Sequence, residues 1–187
     1  VNTAEELQQR FAFGLMAADF SFEGAKLAGW AYVDVDVKWN EEYIYQVASL
    51  VPKDKAFIKE SSALISLKDY KLLPNPLEFQ GVFQDRTVIM AWNYDMLRSV
   101  YNSYNIEKSE DGVNFAPISK IPMVNMNDKP DNPAQRMYYV DSLKVNNKNY
   151  YYRLYGKTSF GEQGPYTKVI SGKGVKTLVF IPYCNDY

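Results

Sequence analysis

The chain has 187 residues, 47% of them hydrophobic and 23% charged, with a formal net charge of −1. That length allows one large domain or two small ones, the composition supports a packed core, and the near-neutral charge excludes a basic field for nucleic acid or anionic membrane. The absence of histidine excludes Ser-His-Asp and Cys-His catalysis and His-based zinc sites, and the lone Cys184 cannot form an internal disulfide.

Residues 3–28 read as helical. Thr3 and Glu6 have capping-box spacing, and Leu7, Phe11, Leu15 and Ala18 recur at intervals of three and four. A break at Asp19-Phe20-Ser21 leaves Ser21 to cap a short second helix that Gly29 ends. Two readings of the apolar stripe stand, a docking helix for a partner or a helical insertion packed on its own sheet, and the second is preferred. Trp30 and Trp39 are expected to pack between this segment and the strands that follow.

After Gly29 the period becomes two. Tyr43, Tyr45 and Val47 share one face of a strand, residues 48–60 connect, and Ala63 to Leu67 is the next strand. Leu73-Pro74-Asn75-Pro76 marks a domain border, which gives a unit over residues 1–72. Beyond it come Leu77 to Phe83 and Thr87 to Trp92, then a strand through Tyr104, Ile106 and Lys108 that runs into an Asp111-Gly112 hairpin turn. Val113 to Ile118 returns, residues 122–136 form a polar loop, and Tyr138 to Asp141, Asn149 to Thr158 and Pro165 to Ser171 complete the set. Seven short strands over about 100 residues predict an antiparallel β-sandwich, so the fold class is mainly β.

A repeat runs through this pattern. Tyr32-Val33-Asp34 returns as Tyr139-Val140-Asp141, Asn40 as Asn147, and Tyr43 to Val47 as Tyr150 to Leu154, all at one offset.

Residues 75–173 resemble a fibronectin type III domain. The resemblance is carried by Val88, Met90 and core Trp92 in the second strand. Tyr104, Ile106, Ser109, Asp111, Gly112 and Phe115 form a stretch common in bacterial members. Leu143 with Tyr150 resembles the tyrosine corner, with one extra residue expected at Asn146-Asn147. The first copy resembles the back half of the same family, with Tyr43 as its corner. The resemblance makes Tyr43 and Tyr150 structural, and it implies that strands missing from the first copy come from upstream chain or another subunit. Residues 73–174 are then the complete module, and 175–187 the start of a further module, with Val175 to Tyr183 as its first strand or as a borrowed strand.

Candidate chemistry is sparse. Asp34, Asp36, Glu41 and Glu42, and the loop Asn125 to Asn132, could supply oxygens to Ca²⁺, but solvated turn acids are the preferred reading. No catalytic residue, metal or cofactor is expected. Tyr138, Tyr151 and Tyr155 are expected to face outward, where such rows stack sugars, anchor proteins or cover a neighbouring module. Phe160, Glu162 and Gln163 join them only because family members often bind through that loop.

The expected function is that of non-catalytic spacer, adhesion or assembly modules in a larger bacterial protein. Partners would be neighbouring modules and other protein subunits, with glycan as a further option and neither nucleic acid nor membrane insertion. An extracellular or cell-surface location follows from the resemblance alone. Alternatives are an accessory carbohydrate-binding module of a glycan hydrolase and a structural part of a phage virion or contractile injection apparatus.

Overall fold

Thr3 starts the first element as the spacing predicts: its hydroxyl accepts the amide of Glu6 at 3.3 Å, opening helix α1 (Ala4–Phe20). Ser21 then closes α1 and opens α2 (Phe22–Leu27), accepting the Gly24 amide at 3.1 Å while its own N–H bonds Ala17. The computed structural model describes residues 3–126 and 133–176. The expected strand Val175 to Tyr183, beyond Lys176, and residues 127–132 of the expected polar loop therefore lie outside the described residues.

The fold is mainly β, with antiparallel sheets. Two compact units divide the chain: Tyr32–Leu72, and the residues up to Ala31 together with those from Leu73 onward. The helices, expected in one unit with residues 29–72, instead group with the larger unit. Their apolar stripe is mostly open, with Leu7 and Phe11 more than half exposed, and Ala25 of α2 is the buried helical residue.

In the larger unit, β3 (Leu77–Gln84), β4 (Thr87–Asn93) and β7 (Arg136–Ser142) make a three-stranded sheet in the order β3-β4-β7. A four-stranded sheet runs β6-β5-β8-β9, from β5 (Ser103–Ser109), β6 (Ala116–Pro117), β8 (Asn149–Lys157) and β9 (Ile170–Lys173). Alternating residues of both sheets meet in one core: Val88, Met90 and Trp92 from the first, Tyr104, Ile106, Tyr150, Tyr152 and Leu154 from the second. The Trp92 and Tyr104 rings sit 5.6 Å apart, a tilted aromatic pair.

Two predicted strands shrink. Val113 and Asn114 donate their amides to the Asp111 carboxylate, both at 2.8 Å, so the return strand begins only at Ala116. Thr167 trades both a side-chain and a backbone bond with Leu154, and regular pairing on β8 is reached only at Ile170.

Two of the buried core tyrosines, Tyr150 and Tyr152, have paired hydroxyls. Tyr150 Oη accepts the Val145 amide at 3.1 Å and donates to the Val145 carbonyl at 3.3 Å. Asn147, with φ 62°, takes the left-handed conformation in the turn where the extra residue is expected. Tyr152 donates to Asp141 at 2.7 Å, and Lys108 Nζ meets the same carboxylate oxygen at 2.7 Å. The Tyr104 hydroxyl has no partner among the described residues, and burial pushes its ionisation well above the usual phenol range.

The smaller unit is a two-stranded ribbon of β1 (Glu42–Val47) and β2 (Ser61–Ser66). Tyr43 accepts the Lys38 amide at 2.9 Å and donates to Glu41 at 2.7 Å, while Tyr45 donates to Asp34 at 2.9 Å. Leu67, expected at the end of β2, opens a 3₁₀ turn instead. Trp39 is 63% exposed, and Trp30 packs edge-on against Phe11 of α1 at 5.8 Å.

Candidate interaction surface

Strand β8 turns Tyr150, Tyr152 and Leu154 inward, so Tyr151, Arg153 and Tyr155 share its outward face. That face is already occupied by the protein itself. The Arg153 guanidinium lies 3.8 Å from the Tyr166 ring centre and 4.2 Å from that of Phe115. It pairs with Glu107 at 2.6 Å, and the other Glu107 oxygen accepts the Tyr166 hydroxyl at 3.1 Å. A planar cation stacked between two rings and bonded at its edge is a rigid arrangement.

Tyr155 lies edge-on against Tyr166 at 5.1 Å and is only 9% exposed. The expectation that Tyr155 faces solvent is therefore corrected. Alternation along β8 placed it away from the core, but could not show that a residue eleven positions later would cover it. Burial raises its phenol pKa. Tyr151 is partly exposed, and its ring lies over Gly112 in the Asp111-Gly112 turn.

The loop after β8 carries Phe160, Glu162 and Gln163. Thr158 and Glu162 close it, with Thr158 N–H bonded to the Glu162 carbonyl at 3.0 Å and the Glu162 amide to Thr158 Oγ1 at 3.2 Å. Gln163 bridges back to Lys157, and Gly161 takes φ 77°. Phe160 meets Phe22 of α2 edge-on at 6.0 Å, and Gly161 lies close beneath the Phe22 Cβ. The Asn102 side-chain amide donates to the Asp19 carbonyl nearby. Phe160 thus seats the helical segment, although its ring remains 72% exposed.

Tyr138 belongs to the other sheet, on β7, at 65% exposure. The three tyrosines therefore do not form one row. Tyr138 has different neighbours: Val82, Ile89 and Val140 pair across β3, β4 and β7, giving an apolar row through all three strands. Val82 and Val140 are each 59% exposed. Tyr138 and its register partner Ala91 lie in the adjoining row. The sequence reading missed this patch, although its signal was present: if Val88, Met90 and Trp92 face inward, Ile89 must face out, and its partners are apolar too.

Acidic groups are engaged locally. Asp34 accepts the Tyr45 hydroxyl and the Asp36 amide, and Glu41 accepts Lys38 and Tyr43. These hydrogen bonds, Tyr43 first, hold Glu41 below the usual carboxylate range. Among the described residues no three histidine, cysteine or carboxylate side chains gather in a metal-holding group.

No family model matches the chain, and no curated protein matches it. Among solved structures, 74 chains match. One is a β-1,2-glucanase from Parabacteroides distasonis, 16% identical, with a TM-score of 0.41 over 62% of this chain. This chain spans 15% of that glucanase. Another is the chicken interferon gamma receptor alpha chain, 8% identical, with a TM-score of 0.42 over 73% of this chain and 67% of the receptor chain. Similarity at this level assigns neither a family nor an activity.

Proposed function

We propose that this chain is a non-catalytic, protein-contacting part of a larger extracellular or cell-surface assembly. On this reading residues 73–174 are a complete fibronectin type III-like sandwich, and residues 29–72 are the back half of a second one. Two features support the fold reading. The sheets run β3-β4-β7 and β6-β5-β8-β9, and Tyr150 ties strand β8 to the residue five positions before it.

The observation that carries the contact role is the apolar row Val82–Ile89–Val140 beside Tyr138 on an outward sheet face. Apolar side chains at three successive strands cost solvation when exposed and gain it back when a partner covers them. Tyr138 adds a rigid ring of the kind that anchors protein interfaces. The opposite sheet offers less, since its Arg153 stack already fills the outward face.

A photo-crosslinking residue at position 140 of the full chain, expressed in its source cells, tests this. Crosslinks to a protein neighbour are expected, and Ile89→Lys should reduce them at least about tenfold with the circular dichroism spectrum unchanged. Unaltered crosslinking in Ile89→Lys would defeat the assignment. Glycan-array binding lost on Tyr138→Ala, without protein crosslinks, would favour a carbohydrate-binding module instead.

A further inference from the structure

The smaller unit repeats the strand register and two of the tyrosine hydrogen bonds of the back half of the larger one. Glu42↔Ser66 through Tyr45↔Ala63 pair in the same register as Asn149↔Lys173 through Tyr152↔Ile170, at a constant offset of 107 on both strands. Tyr43 and Tyr150 each accept the amide of the residue five positions earlier. Tyr45 and Tyr152 each donate to an aspartate eleven positions earlier, Asp34 and Asp141.

The surroundings differ. Tyr150, Tyr152 and Leu154 are fully buried in a core shared with β4 and β5. Val47, the counterpart of Leu154, is 73% exposed. Asp141 is paired with Lys108 of β5, whereas Asp34 has no basic side chain in ion-pair range among the described residues. The outer edge of β1, which in β8 is taken by β5, has no strand paired to it among the described residues.

We propose that residues 32–72 are an acceptor half-module, completed by a three-stranded segment of the β3–β4–β5 kind located ahead of residue 3 in the same polypeptide. This rests on reading residues 29–72 as the back half of the same module type. The larger unit states what the donor must carry. Its edge strand pairs with β1 as β5 pairs with β8, where Ile106 lies opposite Leu154 and Lys108 opposite Tyr152. An apolar residue therefore falls opposite Val47, and a lysine or arginine opposite Tyr45, within reach of Asp34. An acidic side chain there would face a carboxylate with nothing to balance it.

Chain order assigns the source. The offset of 107 carries the connection between β5 and β7, residues 110–135, onto residues 3–28. Helices α1 and α2 thus stand where a connection leaving the third strand belongs, downstream of the strands that donate. β-Strand addition of this kind gains main-chain hydrogen bonds along β1 and covers its apolar face.

The test is a chimeric polypeptide with a second copy of residues 76–109 placed ahead of the full chain. Hydrogen exchange is read at Tyr43 to Val47, with Tyr150 to Leu154 as the internal standard. Those β1 amides that do not bond β2 are expected to slow at least about 100-fold relative to the chain alone. Lys108→Glu in the added copy only should remove about tenfold of that protection. Unchanged exchange in β1, protection insensitive to that substitution, or protection gained at the expense of Tyr150 to Leu154 would overturn the proposal. The same segment protecting β1 as a free peptide but not when fused would overturn the assignment to the same polypeptide. Crosslinking at position 140 reads a different face, so either result can fail alone.

Discussion

Tyr152 and Tyr45 make one hydrogen bond in two settings, and the setting decides what the bond is worth. Tyr152 is buried, and both burial and its bond to Asp141 push its ionisation far above the ordinary phenol range. Tyr152→Phe leaves Asp141 with Lys108 as its remaining charged partner and should cost about 1–3 kcal/mol in urea unfolding. Tyr45→Phe in the open ribbon should leave the unfolding of the larger unit unmoved. Asp111 offers a test by pH. Its carboxylate accepts the amides of Asn114 and Val113, the Asn114 side chain and the Ser109 hydroxyl, which hold it well below the usual carboxylate range. A lowered folded pKa stabilises the turn above the unfolded value of about 4, and the contribution is lost as pH falls through the folded value. Acid titration followed by NMR should therefore show the Val113 and Asn114 amides losing protection below about pH 4 before β8 does. Early loss at β8 would contradict it.

Among the elements, Ser21 has the most concentrated role, since one residue ends α1 and starts α2. Ser21→Ala should lower helicity by circular dichroism and cost the helical segment about 1 kcal/mol, while near-ultraviolet signals of the sheet core persist. Equal loss of both signals would show that the helices fold as one with the sheets. These helix ends were legible because capping is local: Thr3, Glu6 and Ser21 act within one turn. Strand faces were legible for the same reason, as Val88, Met90, Trp92, Tyr150 and Tyr152 show. Contacts set by distant chain were not. Tyr155 is covered by Tyr166, and Phe160 meets Phe22, more than a hundred positions away. The return strand failed differently, because the Asp111 side chain competed for amides that a periodic pattern assigns to a ladder.

At the scale of the molecule, two units of unequal burial share one chain. Leu50 and Phe57 of the smaller unit are largely exposed, while nine core residues of the larger unit have no exposure at all: Val88, Met90, Trp92, Tyr101, Tyr104, Ile106, Tyr150, Tyr152 and Leu154. Limited proteolysis of the chain should accordingly cut within residues 48–60 first and leave a resistant fragment beginning near Leu73. Primary cuts between β4 and β8 would contradict that order.

The identical register of the two ribbons has a consequence for measurement. Residues 42–66 and 149–173 pair in the same register and share two tyrosine bonds, once beneath a roof of strands and once with no such roof among the described residues. Local chain length and pairing cancel between them, so differences in exchange or mutational sensitivity between matched positions report what the roof contributes. The chain carries its own control experiment.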